Sequence, residues 1–212
     1  MRYIPKVDMP DCFENHNFSP AHNWNRFRNP CKREVKKNIL KDEQQWLCAY
    51  CEIKVDIDNS HIEHIKPKSN PNYENLKFDY SNFIVSCNGK ECRVDAENYD
   101  EDIHSCGHKK DNTFDENKFL DPTITSDIGK YFVYDKLNGA IKSSSKDEQK
   151  SRYMIDILNL DNVSLNKMRM NVVDGIRKSI ETLPNKKEIL IDKVTSANPP
   201  AFVSFVRYYY GL

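Results

Sequence analysis

Cys48-Ala49-Tyr50-Cys51, followed after a gap of nine residues by His61-Ile62-Glu63-His64-Ile65-Lys66-Pro67-Lys68-Ser69, is the stretch on which the fold turns. The two-residue gap of Cys48 and Cys51 lets both thiolates face one zinc ion from a tight turn. Tetrahedral closure needs two more ligands, and Cys87, Cys92 and Cys106 lie downstream. Cys87 ends the apolar run Phe83-Ile84-Val85-Ser86, and Cys106 opens Cys106-Gly107-His108-Lys109-Lys110. Cys87 and Cys106 are therefore the expected second pair, across an insertion of 18 residues. Cys92, between Glu91 and Arg93, competes for either place. Cys12 and Cys31 are expected to carry no metal.

His61, Glu63 and His64 put two imidazoles and a carboxylate within four residues. On a strand, alternation sends His61 and Glu63 to one face and His64 to the other. A helical zincin site needs its two histidines four apart. Here they are three apart and Pro67 follows closely, so the zincin reading is poor.

Outward from this centre, Val35, Ile39 and Trp46 recur at helical spacing and predict a helix over residues 31–47. Short apolar runs at 53–57, 62–65 and 83–85 predict strands around the metal, with a helix after Cys106. Tyr131-Phe132-Val133-Tyr134, the turn pair Asn138-Gly139 and Ala140-Ile141 predict a hairpin. Beyond Ser145 the pattern is helical. Tyr153, Ile157 and Leu160 mark one helix; Leu165, Met168, Val172, Ile176, Ile180 and Leu183 mark a second, ended by Pro184. A last short helix starts at Pro199-Pro200 with Phe202, Phe205, Val206 and Tyr209 as its apolar face. The class is α+β: an irregular segment at 1–30, a zinc-stapled core at 31–122, and a hairpin with helices at 123–212. That last part, with Tyr208-Tyr209-Tyr210, is either a docking region for a partner or part of the chain's own core.

The 32 Lys and Arg residues balance 32 Asp and Glu, so no global field draws nucleic acid. Binding must come from local patches: Lys32, Arg33, Lys36, Lys37 and Lys41; Lys66 and Lys68; Lys109 and Lys110. The first ten residues hold no apolar signal core, and no run approaches the roughly 18 apolar residues of a membrane span. The expected location is the cytoplasm, where thiols stay reduced and seven cysteines favour metal binding over disulfides.

His64, Asn82 and His108 occur in the order of the HNH nucleases, between cysteines placed as in that family's zinc-stapled branch. Ile62-Glu63-His64-Ile65-x-Pro67-Lys68-Ser69, Asn82-Phe83-Ile84-Val85-Ser86-Cys87 and Cys106-Gly107-His108-Lys109-Lys110 carry the likeness. With Asp111-Asn112 and Leu120-Asp121-Pro122, the chain resembles the HNH proteins of retron and Septu-type anti-phage defence systems. The resemblance implies a ββα-metal core and a nuclease with an ABC-type ATPase partner; DNA is the expected substrate. It implies that His64 is the general base, and that Glu63 and His108 hold a catalytic divalent cation, Mg²⁺ or Mn²⁺. Asn82 would steady the loop that bears His64, and Lys66, Lys68, Lys109 and Lys110 would contact the phosphate backbone. Asn75 competes with Asn82, and His104 with His108. His61 is read as a surface or supporting histidine. An RNA-cleaving nuclease (of transfer RNA, for example) and a non-catalytic zinc-stabilised interaction module are the alternatives.

Overall fold

The computed structural model describes residues 1–89 and 104–212; Cys92, the competing cysteine, lies outside them. The architecture is mixed α+β with two small antiparallel sheets. In the N-terminal half, α1 (Asp11–Glu14) and α2 (Cys31–Asn38) precede β1 (Ser60–His64) and β2 (Phe83–Cys87), and α3 (Cys106–Lys110) follows. The second half has β3 (Phe132–Tyr134), β4 (Ile141–Ser143), α4 (Glu148–Ile157), α5 (Val163–Ile180), α6 (Lys186–Thr195) and α7 (Val203–Tyr210). Among the described residues no helix is long and apolar enough to cross a membrane.

The helix expected over 31–47 is shorter. After α2 the chain widens into a π-turn at Ile39–Glu43, and Gln45 and Trp46 have positive φ. Gln44 supplies the reason. Its buried carboxamide donates to the carbonyls of Leu47 and Val85 and accepts from the Val85 amide. That side chain works as a piece of backbone, tying the end of the helix to β2. The 53–57 run forms no strand; it contributes a single bridge between Leu47 and Lys54. Lys36, expected in a basic patch, donates to the carbonyls of Ile57 and Ser60 and so fixes the entry to β1.

β1 and β2 pair with Glu63 opposite Ile84 and His64 opposite Phe83. Phe83 is fully buried and is the aromatic hub of this half. Its ring lies 5.6 Å from Phe13, 5.5 Å from Trp24, 6.5 Å from Phe27 and 6.3 Å from Tyr80. The 1–30 segment is mostly irregular, yet Met1, Ile4, Phe13 and Phe27 are buried. Cys12 and Cys31 stay outside the metal cluster, as expected, but are joined to each other by a disulfide, although the sequence favours metal binding over disulfides.

The hairpin is found as read, with Gly139 at φ 76°. A Cβ there would meet the Asn166 carbonyl oxygen at 2.5 Å. The buried stripe of α5 is rotated from the expected one: Leu165, Arg169, Val173, Ile176 and Ile180, with Met168 and Val172 half-buried. An arginine in a core position defeats a polarity pattern. Arg169 is tolerated because its guanidinium donates to the carbonyls of Gly139 and Leu160. Helix α6 was not anticipated; only Leu190 and Val194 of it are buried. One continuous hydrophobic core takes side chains from all three segments, from Met1 to Val206. Tyr209 and Tyr210 are half-buried, and Tyr208 is exposed beside the Tyr134 ring.

Phe83→Ala should cost about 3–5 kcal/mol of unfolding free energy, because the surrounding rings cannot collapse into the space left. Denaturant titration of the two proteins at equal zinc content checks this, and a loss under 1 kcal/mol would contradict the hub.

Candidate active site and metal centre

Four sulfurs meet at the base of the β1–β2 pair. The ligand atoms of Cys48, Cys51, Cys87 and Cys106 all lie within 4.8 Å of one another, and all four residues are buried. Cys48 and Cys51 stand on the turn after Leu47, Cys87 ends β2, and Cys106 opens α3. The Cys87 amide donates to the Cys48 sulfur at 3.3 Å. Burial alone would push the Cys48 thiol up, but hydrogen bonds from Cys106, Cys51 and Cys87 bring it well below the ordinary thiol range. Four gathered, buried cysteines, with Cys48 drawn towards the thiolate, fit a structural zinc. Among the described residues this is the one group of three or more such ligands whose atoms already lie that close together.

The sulfur cluster sets where α3 lies. Cys106 has a left-handed backbone, φ 60°, with its amide bound to the Leu158 carbonyl at the end of α4. The next amide, that of Gly107, donates to the Ser86 hydroxyl. Gly107 then passes so close to β1 that a Cβ would stand 2.8 Å from His61 Nε2 and 2.9 Å from Glu63 Oε2. A side chain at position 107 would push both His61 and Glu63 out of these places.

This approach forms a pocket of about 250 Å³ whose lining includes His61, Glu63, His64, Lys68, Gly107 and His108. Glu63 is shared. Oε1 accepts from the Lys110 ammonium at 2.9 Å, and Oε2 lies 3.4 Å from His61 Nε2. Burial would raise the Glu63 carboxyl, but His61 and Lys110 outweigh it and hold it below the usual carboxylate range. Lys110 also donates to the His64 carbonyl at 3.0 Å. Its side chain is fully buried, so it does not offer the phosphate contact expected of it. Lys68 and Lys109 are exposed, whereas Lys66 is half-buried and paired with Glu116.

His64 faces the other way along the strand, as alternation requires. Its Nε2 is 3.0 Å from the Lys77 carbonyl, which can only accept. Nε2 therefore carries the hydrogen, and Nδ1 keeps the lone pair. The ring is wedged against Trp24 at 4.5 Å and Phe83 at 5.1 Å. Burial lowers its pKa to about 4, despite the Lys77 hydrogen bond that raises it. The imidazole is neutral at physiological pH. Trp24 had no signal in the sequence; its place is set by the long turn that brings residues 12–31 back over β2.

Asn82 is buried and spans the β1–β2 connection. Its carboxamide accepts from the Lys66 amide at 2.8 Å and donates to the Lys66 and Leu76 carbonyls. Asn75 is exposed on a 3₁₀ turn. His108 is exposed, with its ring 4.6 Å from that of His61. His104 is half-buried, 6.3 Å from His108.

Metal analysis should find one tightly held zinc per chain, and Cys106→Ser should lose it together with cooperative unfolding. Retention of zinc by that variant would show that Cys106 is not a ligand. In the zinc-loaded protein without other cations, the His64 imidazole should titrate near pH 4 by NMR, not near 6.5. The folded-state value is depressed, so the stability from the neutral ring is complete above pH 6.5 and is lost as the pH falls towards 4.

No family model matches the chain. Two curated proteins are similar to it. Over 168 residues it is 34% identical to a Vibrio cholerae (serotype O1 biovar El Tor) protein named "Retron Vc95 putative HNH endonuclease", covering 78% of this chain and 71% of that one. Over 141 residues it is 30% identical to an Escherichia coli protein named "Retron Ec83 putative HNH endonuclease", covering 58% of this chain and 54% of that one. A third of positions shared over more than two thirds of the Vc95 protein, on a chain that gathers four cysteines beside His64, Asn82 and His108, places this chain in the family of retron HNH endonucleases.

Proposed function

We propose that the chain is a metal-dependent endonuclease that hydrolyses phosphodiester bonds of DNA, on a ββα-metal core made of β1, β2 and α3. One observation carries this reading. His64 is neutral, keeps a lone pair on Nδ1, and lines one pocket together with Glu63 and His108. In the proposed reaction Nδ1 takes a proton from a water molecule as the new P–O bond forms and the bond to the leaving sugar oxygen breaks. The Lys77 carbonyl holds the ring hydrogen on Nε2 and so stabilises the imidazolium that results. Asn82 keeps the connection carrying Lys66 and Lys77 in place. Of the four lysines expected at the phosphate backbone, Lys68 and Lys109 are exposed.

The residues fit a divalent cation at Glu63 and His108. Glu63 is ionised, Oε2 is turned towards the pocket, and the missing Cβ of Gly107 leaves room beside it. A cation there supplies Lewis-acid stabilisation of charge on the phosphate and leaving group.

The proposed setting is anti-phage defence, as effector of a system with an ABC-type ATPase partner, on the strength of the resemblance to retron and Septu-type proteins. Zero net charge supports delivery by a partner, since this chain alone has little long-range attraction for nucleic acid.

The test is cleavage of DNA and of RNA with Mg²⁺ or Mn²⁺, with and without the partner. His64→Ala should cut at least about 100-fold more slowly while keeping its zinc and fold. Undiminished metal-dependent cutting by that variant would sink the assignment. RNA-only cleavage would replace DNA by RNA, and no cleavage with only a tight zinc would favour the interaction module.

A further inference from the structure

We infer that His61 is a third protein ligand of the catalytic cation, so that the site is a His–Glu–His set and not a Glu–His pair. The inference rests on the cation assigned above to Glu63 and His108. His61 shares a strand face with Glu63, two residues away, and its Nε2 is 3.4 Å from Glu63 Oε2. Its ring meets that of His108 edge to face at 4.6 Å. Both donor atoms of β1 crowd the spot that a Cβ on Gly107 would fill. The other His61 nitrogen, Nδ1, lies 3.4 Å from the Asn88 side-chain oxygen. An oxygen there accepts from Nδ1–H, and a cation that displaces the proton Nε2 shares with Glu63 Oε2 would meet the Nε2 lone pair. A ligating histidine is commonly held this way, its second nitrogen donating to an oxygen that fixes ring and tautomer.

Lys110 completes the arrangement. It occupies Glu63 Oε1, so a cation would meet the carboxylate through Oε2 alone, on the side of His61 and His108. Two imidazoles and one carboxylate oxygen suit Mn²⁺, Co²⁺, Ni²⁺ or Zn²⁺ better than Mg²⁺, which prefers oxygen ligands and keeps its waters. The competing account makes His61 a partner of the Glu63 charge alone. That account needs no hydrogen bond to Asn88 and no imidazole at the ion.

The experiment titrates the zinc-loaded, full-length protein with Mn²⁺ by calorimetry and with Co²⁺ by visible absorption. The variants are His61→Ala, Asn88→Ala, Glu63→Gln and His108→Ala, with zinc content and circular dichroism reporting the fold. Wild type should bind one Mn²⁺ more tightly than Mg²⁺. His61→Ala should weaken Mn²⁺ by about tenfold or more and change the Co²⁺ spectrum, with Asn88→Ala falling between. If Glu63→Gln and His108→Ala weaken binding while His61→Ala keeps wild-type affinity and spectrum, His61 is no ligand and the two-ligand site stands. If wild type binds no second cation, or Glu63→Gln and His108→Ala do not alter it, the cation assignment itself fails and this inference with it.

Discussion

Four sulfurs from three separate places on the chain must reach one point, and the candidate site depends on that closure. Cys48 and Cys51 come from the turn after the π-widened helix, Cys87 from the end of β2, and Cys106 from the start of α3. A helix of five residues has little stability of its own. Here its first residue is held by the sulfur cluster and by the Leu158 carbonyl, and its second by Ser86. With the start of α3 fixed, Gly107 must pass over His61 and Glu63, His108 must stand at the pocket edge, and Lys110 must reach under β1.

The two faces of β1 are given opposite electrostatic treatment. On the α3 side, a buried ammonium and a histidine keep Glu63 ionised. Such a pair costs desolvation on both partners and is poor evidence of added stability. What it secures is geometry, because one oxygen is taken and the other is turned towards the pocket. On the opposite side, Trp24 and Phe83 dry the His64 ring and keep it uncharged. An ionised carboxylate and a neutral imidazole on adjacent residues follow from alternation along one strand, with different neighbours on each side.

The N-terminal segment does more than its irregular sequence suggests. The loop closed by the Cys12–Cys31 disulfide contains Phe13, Phe18, Trp24 and Phe27, which pack around Phe83 and Phe78. Lys77, whose carbonyl holds His64, sends its ammonium to the carbonyls of Pro20 and His22 in that loop. The wall over the candidate base is thus built from residues some 40 positions before it in the chain, at Trp24, and the base is linked to that wall through Lys77.

Spacing and alternation by themselves determined much of this protein. The Cys-x-x-Cys gap, Cys87 at the end of an apolar run, Cys106 before Gly-His, the Asn138-Gly139 turn and the opposed faces of Glu63 and His64 are all local, and local patterns survive in one dimension. Tertiary structure alone decided the rest. His61 and Lys110 sit 49 residues apart, and only the docking of α3 puts both on one carboxylate. Lys110 and Arg169 are buried cations, which a polarity pattern assigns to the surface, and their burial depends on acceptors supplied by distant carbonyls. Trp24 reaches His64 through the path of a loop with no regular repeat. Sequence pattern records which face a residue shares with its neighbours, whereas the charge state and partner of a buried group depend on what the folded chain brings against it.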